Sequence, residues 1–132
     1  MGFTTVPGAS AADATSIVGT AGIDSVVHNT DLVSNVFVGA QQSDDTVALS
    51  GVATRTDYTI KGGQGNDTFA FTSNTFKTSV INGNSNADTI GSSTDAVKLD
   101  ASTLRGGQGA DSIFLGASSG SLINGNKQAD TM

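Results

Sequence analysis

The sequence predicts an all-β fold, a parallel β-solenoid of the β-helix or β-roll kind, with about six coils of roughly 21 residues. Three observations carry that expectation. An aspartate recurs at Asp24, Asp45, Asp67, Asp88, Asp111 and Asp130, at spacings of 21, 22, 21, 23 and 19 residues. A fixed period in this range marks stacked repeats. Two residues before the first glycine of each loop stand Ile17, Phe37, Ile60, Ile81, Leu104 and Ile123. Two after each aspartate stand Val26, Val47, Phe69, Ile90, Ile113 and Met132, all large and apolar in a chain that is only 36% hydrophobic. The alternation then continues through His28, Leu49, Phe71, Ser92 and Leu115, mostly apolar, so one side chain in two faces inward along a short strand.

The chain reads as one domain, residues 1–132. Residues 1–16 are apolar and Ala-rich (Phe3…Val6-Pro-Gly-Ala-Ser-Ala-Ala12) and are expected to pack on a neighbouring subunit. Repeats fill 17–132, each one a turn, a strand, a bend and a second strand. No strand could bury its apolar face alone; coils stacked at about 4.8 Å give each strand neighbours above and below. The loops at 17, 60 and 104 resemble one another, as do those at 37, 81 and 123. That two-coil rhythm leaves open a wider coil of roughly 43 residues, with the loop types on opposite sides.

Composition narrows the function classes. All twelve acidic residues are Asp. Ser, Thr, Asn and Gly abound, residues that favour turns over helices, so no long helix is expected. A net charge of −6 and scattered basic residues argue against a nucleic-acid partner. No apolar run reaches membrane-spanning length, so no membrane insertion is expected. The absence of cysteine rules out disulfides and thiolate metal sites.

No catalytic residue emerges. His28 is the sole histidine, which excludes a multi-histidine metal site within one chain. His28, Asp31 and a serine could mimic a triad, but in a Ser-rich chain that coincidence carries no weight, and no Gly-Xaa-Ser-Xaa-Gly elbow is present. Asp44 and Asp45 read as a solvated loop rather than an acid–base pair. With a lone Tyr58 and no Trp, no aromatic platform exists for sugars or bases. Ser25, Thr46, Thr68, Thr89, Ser112 and Thr131 form a hydroxyl ladder after the aspartates. It is one column wide, and suits a hydrogen-bonding position beside a turn better than an ice-binding face.

Gly62-Gly-Gln-Gly-Asn-Asp-Thr-Phe-Ala70 and Gly106-Gly-Gln-Gly-Ala-Asp-Ser-Ile-Phe114 match in full the pattern Gly-Gly-Xaa-Gly-Xaa-Asp-Xaa-hydrophobic-Xaa. In these loops the chain resembles the calcium-binding repeats of RTX proteins. The resemblance implies a right-handed β-roll in which loop carbonyls and Asp carboxylates hold Ca²⁺ between turns, with Asp67 and Asp111 as the candidate metal ligands. The chain departs from that family in spacing, with one loop per 21 or so residues rather than back-to-back nonapeptides. The neighbouring loops Gly39–Asp45, Gly83–Asp88 and Gly125–Asp130 also lack the glycine scaffold. The other reading is a structural carboxylate that accepts loop amides and caps the turn, with no cofactor required. More loosely, the alternating loops resemble Ser/Thr-rich surface repeat proteins of cyanobacteria, which implies an extracellular or cell-surface setting in a bacterium.

Neither end shows a capping element. The expected partner is therefore the chain itself, stacked head to tail through Phe3, Val6, Ile123 and Met132 into a fibre, because a heterologous contact of this kind does not close. The alternative is a calcium-binding module or a fragment of a larger secreted or adhesive protein.

Overall fold

The structure, a computed structural model, describes residues 4–6, 15–28, 34–51 and 53–132, with the backbone alone for 4–6, 15 and 28. Its strands are β1 (Thr4–Val6), β2 (Thr15–Val18), β3 (Ser25–His28), β4 (Ser34–Gln42), β5 (Thr46–Leu49), β6 (Thr54–Gln64), β7 (Thr68–Phe71) and β8 (Thr75–Lys77). There follow β9 (Val80–Ser85), β10 (Thr89–Ile90), β11 (Val97–Asp100), β12 (Thr103–Gln108), β13 (Ser112–Ile113), β14 (Leu115–Ser119) and β15 (Leu122–Lys127). No helix occurs among the described residues.

Every coil feeds two sheets. The smaller stacks β3, β5, β7, β10 and β13, and the larger takes the other ten strands. All pairs are parallel and join each coil to the next, except that β1 lies antiparallel on β2. The fold is the parallel β-solenoid that the period predicts, with about 5 turns of ~21 residues. A 43-residue coil does not occur: the two loop types stack on the same corner, since Gly63 pairs with Asn84 and Asn84 with Gly107.

One left-handed residue per coil bends the larger sheet. Asn35, Asp57, Thr78, Ala101 and Gly120 stand one after another along the stack with φ of 55°, 54°, 47°, 47° and 56°. An L-residue in this region costs roughly 1–2 kcal/mol, so its recurrence at one place marks a corner the fold requires. Beyond it, β8, β11 and β14 lie on one flank, and β9, β12 and β15 on the next.

The core fills the space between the sheets. Val26, Val47, Phe69, Ile90 and Ile113 come from the smaller sheet, and Ile17, Val38, Ile60, Ile81 and Leu104 from the larger, all buried. Phe71 and Phe76 meet edge to face at 4.6 Å between centroids, and Tyr58 packs on Phe76 at 5.9 Å. Arg55 is wholly buried beside them, donating to Tyr58 Oη and to the Ser50 carbonyl, each at 2.8 Å. Those bonds are what a buried guanidinium needs in place of water.

Two details of the inward pattern differ from expectation. Val38, not Phe37, pairs with Ile17 and Ile60 and fills the core. The second loop has Ala40 at the position that glycine holds in the other coils, so alignment on Gly39 displaces that coil by one residue, and a one-residue slip exchanges the faces of a strand. Phe37 lies on the outer face under Lys61, whose Nζ is 5.9 Å from its ring centroid. The smaller sheet also narrows from four residues per coil to two at β10 and β13. There Gly91 turns the chain with φ of 80°, Ser92 and Asp95 close a bend, and Leu115 joins the larger sheet opposite Val97.

Replacing Phe71 with Ala removes the ring that links Phe69 to Phe76. The expected loss is about 3–5 kcal/mol of unfolding free energy, measured by urea denaturation.

Candidate functional site

Two polar columns flank β9, β12 and β15, one at each corner; the aspartates run from Asp24 to Asp130, and the serines span the last three coils. In the first, the aspartate of each coil reaches back to the coil before it. Its Oδ1 accepts the main-chain N–H of the preceding aspartate, in the pairs Asp24→Asp45 (2.7 Å), Asp45→Asp67, Asp67→Asp88, Asp88→Asp111 (2.9 Å each) and Asp111→Asp130 (3.0 Å). The turn N–H groups, which no sheet partner reaches, are satisfied in this way. The second column is built of serines. Tyr58 N–H donates to Ser79 Oγ (3.1 Å), Ser79 N–H to Ser102 Oγ (3.0 Å) and Ser102 N–H to Ser121 Oγ (3.1 Å). Each hydroxyl also donates to a carbonyl, Ser79 to Lys77, Ser102 to Asp100 or Phe76, and Ser121 to Ser119.

The columns differ in one respect. A hydroxyl accepts and donates, whereas a carboxylate only accepts. Oδ2 of Asp45, Asp67, Asp88 and Asp111 is buried with no hydrogen-bond partner. Beside Gly62, Gly83 and Gly106, the point where a Cβ would stand is occupied by Oδ2 of Asp67, Asp88 and Asp111. The carbonyl of the next coil's glycine (Gly83, Gly106 and Gly125) closes on the same point. Glycine at 62, 83, 106 and 125 is thus required by space.

Burial dominates the electrostatics. It raises the carboxyl of Asp67 to about 6 and that of Asp88 to about 8, against the partial relief given by the N–H that each accepts. Asp45 and Asp111 are raised for the same reason. The charges acting on all four are other aspartates, which add to the rise.

Asp67 and Asp111, the candidate calcium ligands, stand in one column with Asp88 between them. Calcium takes about six to eight oxygens. Here Oδ1 of each accepts an N–H, and Oδ2 lies against Gly62 or Gly106, where the carbonyl of Gly83 or Gly125 also closes in. Among the described residues no three acidic or histidine side chains gather into a group able to hold a metal. Neither residue is assigned as a metal ligand on this geometry.

The residues expected at a junction lie at the two ends. Val6 is in β1, its backbone paired with Ser16 of its own chain, while Phe3 lies outside the described residues. Ile123 is half-buried in β15 against the core, and Met132 is exposed. Of the stretch expected on a neighbouring subunit, Thr4–Val6 covers the edge of its own β2. The structure adds Leu122 (56% exposed) and Phe114 (37%) to the apolar surface at the C-terminal end. There a depression of about 330 Å³ is lined by Ala96, Ile113, Phe114, Leu115 and Met132.

The chain matches no protein-family profile, no curated protein and no solved structure. Geometry alone therefore carries the functional reading.

Sequence reasoning missed the serine column. Its signal was present: Ser79, Ser102 and Ser121 each lie nine residues before the aspartate of their own coil. Two substitutions separate the columns' requirements. Gly83→Ala drives a methyl into Asp88 Oδ2 and the Gly106 carbonyl, an overpacking expected to cost roughly 1–3 kcal/mol. Ser102→Ala strands the buried Ser79 N–H, at about 1–3 kcal/mol. Urea unfolding of each variant checks both.

Proposed function

We propose that this is an architectural protein that assembles end to end into a fibre, outside the cell or on its surface, each copy continuing the solenoid of the one before. The observation that carries this reading is the C-terminal end. The last parallel strands, β14 and β15, present one edge to solvent, Phe114 and Met132 stand exposed at the depression, and Leu122 is exposed on β15. An open edge with apolar side chains is a template for further pairing. At the other end β1 and β3 are the outermost strands of their sheets. A contact between unlike ends generates a filament rather than a closed ring.

Composition supports the same reading. The side chains that repeat along the chain serve the stacking of one coil on the next. The working partner in this reading is a second copy of the chain, with no cofactor.

Negative-stain microscopy and sedimentation of the purified chain in excess EGTA test it. Fibres are expected, and Leu122→Asp or Met132→Asp should abolish them while leaving the β-rich circular dichroism unchanged. Uniform monomers from the unsubstituted chain, with or without calcium, overturn the proposal.

A further inference from the structure

The aspartate column poses a problem that the serine column solves. In the serine column every group is matched: the oxygen accepts an N–H from the coil before, and its proton goes to a carbonyl. In the aspartate column two acceptors, Oδ2 and a glycine carbonyl, crowd the same point with no donor between them. Two oxygens facing each other in a buried site are unfavourable unless one carries a proton. Ionised neighbours one coil apart, about 4.8 Å, would add like-charge repulsion.

We propose that Asp67, Asp88 and Asp111 stand in the fold as neutral carboxylic acids in mildly acidic solution, and that Asp88 keeps its proton at neutral pH. In each, Oδ1 accepts the main-chain N–H of the preceding coil's aspartate, and Oδ2–H is directed to the glycine carbonyl of the following coil, Gly83, Gly106 and Gly125 respectively. Solvent supplies the proton, and no other group need change. The carboxylic acid then does what the serine hydroxyl does, accepting on one side and donating on the other.

The surroundings favour the neutral form. The column packs against the loops, the strands β6, β9, β12 and β15, and the smaller sheet. Asp44, in the loop before Asp45, is exposed and negative, and it adds to the rise at Asp45 and Asp67. Lys61, Arg105 and Lys127, on β6, β12 and β15, are exposed to solvent. The described side chains of β3, β5, β7, β10 and β13 carry no charge. The inference concerns the bonding within one chain and does not depend on fibre formation.

The sign of the pH dependence follows. Folding raises these pKa values, so the stability they contribute is full below the unfolded value, near 3.8. It is lost as pH rises through the folded values of about 6 for Asp67 and about 8 for Asp88. Calcium-ligating or ion-paired carboxylates give the opposite slope.

The test is urea unfolding at about pH 5 and about pH 8.5, in EGTA, on the native chain and on Asp88→Asn. An amide copies the neutral acid, with Oδ1 accepting and Nδ2–H donating to the Gly106 carbonyl. The native midpoint should fall from the acid to the alkaline condition. Asp88→Asn should match it in acid, exceed it in alkali and show a smaller shift between the two. Infrared spectra of the native chain at neutral pH should carry the carbonyl band of a protonated carboxyl, a readout that stands even if the variant fails to fold. A midpoint that rises with pH, a variant less stable than the native chain in alkali, or no protonated-carboxyl band at neutral pH each overturns the proposal.

Discussion

The main-chain N–H at the turn of one coil must find its acceptor in the next coil, and the whole solenoid is arranged to supply it. Within a strand the neighbouring coil offers a carbonyl. At a corner the chain turns away, and an unpaired buried N–H costs as much as a lost hydrogen bond. Asp45, Asp67, Asp88, Asp111 and Asp130 answer at one corner, and Ser79, Ser102 and Ser121 at the other. Each bond ties a coil to its successor, so the same contacts set the register and the period. The slack in spacing, from 19 to 23 residues, is taken up in the bends between columns.

The same constraint explains why two loop types alternate. Gly63 and Gly107 have φ of 120° and 123°, and a Cβ at either would collide with the backbone of the coil beneath, at Gln41 and Asn84 respectively. Asn84 and Asn126, at the same place in the alternate coils, have φ of 83°. Asparagine tolerates that left-handed conformation where few other side chains do. Glycine is thus needed where the backbones come closest, and asparagine serves in the coils between. In Gly-Gly-Gln-Gly-Xaa-Asp, the second glycine stands where the stacked backbones leave no room for a Cβ.

Much of this was legible because the signals repeat. Six aspartates at one period established the coil, and apolar residues two places on either side of the loops placed the core. The slip at Phe37 arose where a loop lacks its first glycine, and only the facing strands could correct it. Arg55 was hidden because it occurs once: its burial depends on Tyr58 and Ser50, which no period links to it. The serine column escaped because serine is common elsewhere in the chain, so its spacing stood against a high background. The crowding of Oδ2 against a glycine carbonyl is a matter of a few ångströms and leaves no trace in residue order.

Column geometry also gives a reason for the acidic residues being aspartate throughout. A carboxyl that must meet an N–H one coil away, while its second oxygen lies against the glycine of its own loop, has a fixed reach. The additional methylene of glutamate would need space that the stack lacks, since the packing beside Gly83 leaves no room even for a methyl group. Other aspartates serve comparable short spans. Asp44 Oδ1 accepts the N–H of Asn66 in the following coil at 2.7 Å, and Asp57 Oδ1 accepts the Thr78 hydroxyl. Serine and asparagine, the other short polar side chains, hold the remaining rungs. A chain that bonds its corners across a single coil spacing is thus confined to short polar side chains, and an acidic composition follows from the architecture before any ligand or partner is considered.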